Sequence, residues 1–164
     1  NIDYFKLKNV NSITSLNKIS DYDCDLLVSM SFNQIFRKDI INLTRIGIIN
    51  CHAGKLPFYR GRNVLNWVLI NDEKEFGITV HFVDQGIDTG DIILQEIFPI
   101  TDKDNYSTLL DISYSSCANI LYKSLVQVFE GQFKRTVQKS IHPVGFYCGM
   151  RGEGDEIINW NNTS

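Results

Sequence analysis

The order of elements predicts an α/β domain. Short apolar runs over residues 25–31 and 47–50 read as buried parallel strands, with helical patterns between and around them. Two further strands, over 76–83 and 92–98, lead into one long periodic helix. The chain has 164 residues, 43% apolar and 21% charged, which suits one globular domain and excludes disordered and collagen-like classes.

Taken in order, residues 11–23 form a helix. Asn11 or Ser12 can cap it, and Ile13, Leu16 and Ile19 share a face. Residues 38–43 make a helical turn. Gly54, Pro57 and Gly61 mark 51–62 as a loop, and Asn63 is placed to cap the next helix, with Leu65, Leu69 and Ile70 inward. The segment 85–90 is turn chemistry between strands. In the helix 105–130, Leu110, Tyr114, Ala118, Leu121, Leu125 and Val128 recur at three or four residues, and Gly131 stands at the C′ position. Residues 143–160 show no period and read as loop.

Sixteen Lys and Arg against nineteen Asp and Glu give a net charge of −3, a poor footing for nucleic-acid binding. No apolar run approaches the roughly 20 residues of a membrane span, so no membrane partner is expected. Cys24, Cys51, Cys117 and Cys148 are scattered without a Cys-x-x-Cys pair. That pattern points to no metal site and to a reducing, cytoplasmic setting. The first residue, Asn1, and the last residues, Asn161 to Ser164, which stop without a helix or tail signal, read as the ends of a piece of a longer chain.

In open α/β sheets the chemistry sits beyond the carboxyl ends of strands. Asn50 ends a strand, and His52 lies two residues on, so an extended chain points both the same way. Asp88 occupies a Gly-rich turn. Together they supply an amide donor, a group titrating near neutrality and a carboxylate to tune it, the functions that acyl transfer to an amine requires. Singly, each has a plainer reading: an isolated His is commonly structural, and Asp is common in turns. Cys51 is turned away from both neighbours by alternation and is not expected to act as a nucleophile. Trp67, His81 and His142 read as structural.

The block from Asn50 through Cys51, His52, Ala53, Gly54, Lys55, Leu56 and Pro57 to Tyr59, Arg60 and Gly61 resembles the signature of the folate-dependent formyltransferases. A second block, Gly77 to His81 running into Asp84, Gln85, Gly86, Ile87, Asp88, Thr89 and Gly90, resembles the same family in order and spacing. The likeness runs from Asp25 to Leu94 and more loosely to Trp160. It implies a Rossmann-like formyltransferase fold, a mostly parallel sheet flanked by helices, with residues 1–164 forming one partial catalytic domain that lacks its N-terminal strands and a C-terminal domain. It implies Asn50, His52 and Asp88 as the catalytic trio. In that mechanism Asn50 and His52 stabilise the oxyanion, and Asp88 tunes His52 and helps remove the amine proton. The donor implied is N10-formyltetrahydrofolate, held by Ser31, Phe32, Gln34, Ile35, Phe36, Val83, Asp84, Gln85, Gly86, Ile87 and Asp88.

Within the family, the Gly54-Lys55-Leu56-Pro57 loop and Arg62-Asn63-Val64-Leu65-Asn66-Trp67 look most like enzymes that formylate dTDP-linked amino-dideoxy sugars for surface polysaccharide. The tRNA-directed enzyme is the alternative. Lys55, Arg60 and Arg62 form a compact cationic patch suited to a diphosphate. Tyr59 is grouped with them, and Phe146 and Tyr147 are candidates to stack on a base. The expected partner is a nucleotide sugar and not a nucleic acid, and the full-length protein is expected to be a homodimer.

Overall fold

A computed structural model describes residues 2–155 and 157. The elements are α1 (Ile13–Ser20), β1 (Leu26–Met30), α2 (Lys38–Ile41), β2 (Gly47–His52), β3 (Arg60–Gly61) and α3 (Val64–Ile70). They continue with β4 (Glu75–Phe82), β5 (Ile92–Pro99), α4 (Tyr106–Phe129), α5 (Gln138–Ile141) and β6 (Tyr147–Cys148). The main sheet runs β1-β2-β4-β5, and β3 pairs with β6 in a separate two-stranded sheet.

The α/β, Rossmann-like expectation holds, with a qualification on strand direction. β1 and β2 are parallel, while β4 is antiparallel to β2 and β5 antiparallel to β4. The link from Val83 to Asp91 is too short for the crossover that parallel pairing needs, so β4 and β5 form a hairpin-like pair.

Alternation along β2 divides the interior. Ile49 and Cys51 join Phe76, Ile78 and Val80 of β4 with Leu65, Val68, Leu109, Cys117 and Ile120 in one cluster under α3 and α4. Ile48, on the opposite face, packs with Val10 and Ile40 and with the helices α1 and α2. Helices thus cover both faces. Asn50 and His52 share the parity of Ile48, so they emerge away from α4.

Local chemistry explains most boundaries. Ser12, not Asn11, caps α1, its hydroxyl accepting from Ser15 N at 3.2 Å. Asn11 instead holds the next loop, donating to Ile35 O at 2.9 Å and accepting from Arg37 N at 2.8 Å. Asn105 and Thr108 form a capping box at the start of α4, and Gly131 follows its end at φ 66°.

Asn63 precedes α3 but adopts φ 54° and makes no side-chain cap. Its Oδ1 accepts from Arg151 N at 2.9 Å. The loop readings missed β3 and β6, and α5 lies in a stretch to which the sequence pattern assigns no element; all three are two to four residues long, too short to show a period. Trp160 and residues 161–164 lie outside the described residues.

Two stability effects follow, both measured by urea unfolding of the full chain. Ile78→Ala, at a side chain with no exposed surface, is expected to cost roughly 2–5 kcal/mol through lost burial and a cavity. Asn105→Ala is expected to cost about 1 kcal/mol through loss of the cap.

Candidate active site

The last residues of β2 place the first two functional side chains. Asn50 stands opposite His81 of β4 in the antiparallel register, and its Nδ2 lies 3.4 Å from His81 Nε2. His52 Nε2 lies 2.7 Å from the Tyr59 carbonyl oxygen. A carbonyl only accepts, so Nε2 carries the hydrogen and the neutral ring keeps its lone pair on Nδ1. That Nδ1 faces Asp88 Oδ2 at 3.7 Å.

Asp88 arrives from the β4–β5 turn in a left-handed conformation, φ 52°. Asp84 organises that turn, its Oδ1 accepting from Gly86 N at 3.0 Å and Thr89 Oγ1 at 2.5 Å. Asp88 Oδ2 also accepts from Gly61 N at 2.9 Å, and Oδ1 lies 3.5 Å from His81 Nε2. The trio expected from sequence is therefore brought together.

His81 joins them, against the expectation that it is merely structural. Its Nδ1 is 2.8 Å from the Phe82 carbonyl, and its Nε2 lies between Asn50 and Asp88, an acceptor from Asn50 when the ring is neutral and a donor to the Asp88 carboxylate when the ring is protonated. The signal was the register itself, which a single strand does not display.

Burial pushes the His52 imidazole below its ordinary value, outweighing the opposing pull of the Asp88 charge and the Tyr59 carbonyl. Burial alone would raise the Asp88 carboxyl. The hydrogen bond that His81 donates when protonated, the charge either imidazole carries when protonated and the Gly61 N–H overcome this and hold it at about 2.

A cavity of about 300 Å³ opens in front of these groups. Of the expected donor-binding set, Ser31, Phe32, Gln34, Ile35, Phe36, Val83, Asp84, Gly86, Ile87 and Asp88 line it. Gln85 shares the loop but is exposed and not part of the wall. Gln34 accepts from Val10 N at 2.9 Å and donates to Lys8 O at 3.3 Å, so its amide anchors the loop.

The expected substrate set divides. Arg62 and Tyr147 line the cavity. Lys55 lies outside it, paired with Glu75. Arg60 is turned inward, donating to Gln138 Oε1 and to Val144 O at 3.0 Å. Tyr59 is buried and bonds Glu73 and Asn71 through its hydroxyl, and burial with the Glu73 hydrogen bond pushes that phenol up to about 12. Phe146 packs edge-on against Tyr59 and leaves the cavity wall to its neighbour Tyr147. None of these four faces the cavity; Tyr59, Arg60 and Phe146 support its surroundings from behind, and Lys55 lies apart from it.

Gly54 is needed by this arrangement. A Cβ there would collide with His52 Nε2 and the Tyr59 carbonyl, the pair that sets the tautomer. Cys51 is buried on the α4 side, its thiol donating to Cys117 O at 3.8 Å. The Cys117 thiol and burial push it far above the thiolate range, which keeps it unreactive. Among the described residues no group of three His, Cys, Asp or Glu is placed to hold a metal, and no helix is long and apolar enough to cross a membrane.

His52 and Asp88 both bind protons more weakly folded than unfolded, so acidification lowers stability. The His52 contribution is complete above an unfolded imidazole value of roughly 6.5 and is lost as pH falls from there. The Asp88 contribution is complete above an unfolded carboxyl value of roughly 4. It is worth roughly 2 kcal/mol and is lost as pH falls toward about 2. Asp88→Asn is expected to flatten the lower limb of a stability-versus-pH curve from urea unfolding. It is also expected to move the His52 midpoint further down in a proton-resonance titration, because the charge that raises it is gone.

A family described as formyl transferase matches residues 6–125. The chain is 36% identical over 159 residues to the methionyl-tRNA formyltransferase of Pelotomaculum thermopropionicum, covering 97% of this chain and 49% of that protein. It thus spans about half the length of that relative. Among solved structures, the N-formyltransferase of Helicobacter canadensis in complex with folinic acid and dTDP-3-aminofucose is 29% identical. Its TM-score is 0.65, and the match covers 73% of this chain and 44% of that one. A sugar N-formyltransferase from Shewanella sp. is 25% identical with a TM-score of 0.75, covering 93% and 62%. With residues 6–125 matched and the Asn50, His52 and Asp88 cluster intact, this chain belongs to the formyl transferase family.

Proposed function

We propose that the chain carries the active site of an N-formyltransferase that moves a formyl group from N10-formyltetrahydrofolate to the amine of a dTDP-linked amino-dideoxy sugar. One observation carries the reading. Among the described residues, the cavity that holds Asn50, His52 and Asp88 also presents one arginine, Arg62, and the aromatic ring of Tyr147. A guanidinium fork suits a diphosphate and a ring suits a base, whereas a tRNA backbone needs a broad basic surface.

The wall opposite suits the flat donor. Phe32 stacks on Phe36 at 5.1 Å, and exposed Ile35 and Ile87 add apolar surface. The backbone of both loops is held in place by Asn11 and Asp84. When bound, the donor supplies an electrophilic formyl carbon.

The neutral sugar amine attacks the formyl carbon, and the Asn50 amide donates to the oxygen on which negative charge develops. His52 Nδ1, unprotonated at neutral pH, accepts the proton that the amine releases, and Asp88 stabilises the imidazolium formed. As the formyl carbon–N10 bond breaks, protonated Nδ1 returns that proton to the departing N10, which leaves the formylated amine, tetrahydrofolate and a neutral His52.

The acceptor could instead be methionyl-tRNA, a reading favoured by the greater sequence identity to the tRNA-directed relative. The deciding assay offers full-length enzyme the formyl donor with 3-amino and 4-amino dTDP-sugars, beside charged initiator tRNA. Formylation of the tRNA with no reaction on any amino sugar would establish the second reading.

Asn50→Ala, His52→Ala and Asp88→Ala are each expected to lower kcat by roughly 10² or more. Arg62→Ala is expected to raise the KM of the sugar nucleotide about tenfold with the folate KM nearly unchanged. Lys55→Ala, removing a cation already paired with Glu75 outside the cavity, is expected to leave both constants near wild type.

A further inference from the structure

Gln138 opens α5 and is 1% exposed. Its Nε2 donates to the backbone carbonyls of Asp88 at 2.9 Å and Gly90 at 2.7 Å. Its Oε1 accepts from Arg60 Nε at 3.1 Å and Nη2 at 2.7 Å. Both donors and both acceptor positions of the amide are therefore used.

The next residue after Arg60, Gly61, donates its N–H to Asp88 Oδ2 at 2.9 Å. A closed ring results: Gln138 holds the Asp88 backbone and the Arg60 side chain, and the Arg60–Gly61 strand holds the Asp88 carboxylate. The segment bearing Gln138 is itself anchored, because Thr136 and Ile92 exchange backbone hydrogen bonds at 2.9 Å in each direction.

Asp88 needs such a hold. A non-glycine residue at φ 52° is in a disfavoured conformation that is kept where its surroundings impose it. The turn is also solvent-facing, with residues 84–87 exposed. We infer that Gln138, with Arg60, is a positioning residue that holds Asp88 in its left-handed turn so that the carboxylate meets His52.

The inference rests on reading Asp88 as part of the reacting constellation, and it is independent of which amine is formylated. Small misplacements of such groups are costly, since a shift of about 1 Å can cost roughly 10²-fold in rate.

The test compares Gln138→Glu and Gln138→Met in the full-length enzyme. The first keeps an acceptor for Arg60 and loses both donors to the Asp88 turn, while the second loses every bond. Expected for both is a kcat lower by roughly tenfold or more, with both KM values within about threefold. Hydrogen–deuterium exchange over residues 84–90 is expected to rise.

Gln138→Glu is expected to retain most of the melting temperature, since it still accepts from Arg60; a merely structural role would make kcat follow stability. If neither variant folds, Arg60→Lys, which keeps the charge but not the fork, reads the same clamp by exchange. Unchanged exchange over 84–90 in a folded variant, or a kcat within about twofold of wild type, would overturn the inference. A wild-type enzyme inactive on every acceptor would count against the proposed function alone, leaving the clamp to be judged by exchange.

Discussion

The site depends on one carboxylate. Asp88 is the group that His52, His81 and the Gly61 N–H all approach, and it remains ionised although mostly buried. Isolated in that position the charge would be costly. The chain solves this by surrounding it with donors and potential cations, and in return the carboxylate orders the two imidazoles. Asn50 enters the same network through His81, so the groups of the site act as a unit and not as separate side chains.

Much of the rest of the fold serves to deliver this arrangement. The alternation of β2 sends Ile49 and Cys51 into the α4 core and leaves Asn50 and His52 facing the cavity. Thr79, fully buried on the site-facing side of β4, donates to Gly54 O at 2.7 Å, and Gln95 donates to Thr79 and to Leu56 O. These bonds tie the loop after His52 to the sheet. The same loop then presents the Tyr59 carbonyl to His52, the Arg60 guanidinium to Gln138 and the Gly61 N–H to Asp88. Three consecutive residues thus bracket His52 and Asp88.

The acceptor specificity proposed above would have a different physical basis. Of the cations clustered in the loop, Lys55 is neutralised by Glu75 and Arg60 is used internally, so Arg62 is the one that reaches the cavity wall. The neighbouring ring of Tyr147 is brought there by the pairing of β3 with β6. Trp67 Nε1 donating to Gly149 O at 2.9 Å, and Asn63 accepting from Arg151 N, secure that segment to α3. A surface suited to a small anion with an attached ring therefore arises from pieces far apart in the chain.

By itself the sequence determined the α/β class, the long helix, the principal strands and the choice of Asn50, His52 and Asp88 as the candidate trio. Those depend on local periodicity, on caps and on two motif blocks whose residues sit close together in the chain. Tertiary structure alone decided the rest. The antiparallel seating of β4 against β2, across the loop and α3 that join them, is a choice of tertiary pairing. His81 entered the site through cross-strand register with Asn50, and Gln138 did so by returning from a remote helix to the Asp88 turn. Lys55, Tyr59, Arg60 and Phe146 looked like cavity residues because they neighbour the motif or follow its pattern downstream. Their side chains instead satisfy buried or paired partners that sequence distance conceals, because a hydrogen bond is chosen by position in space and not by proximity along the chain.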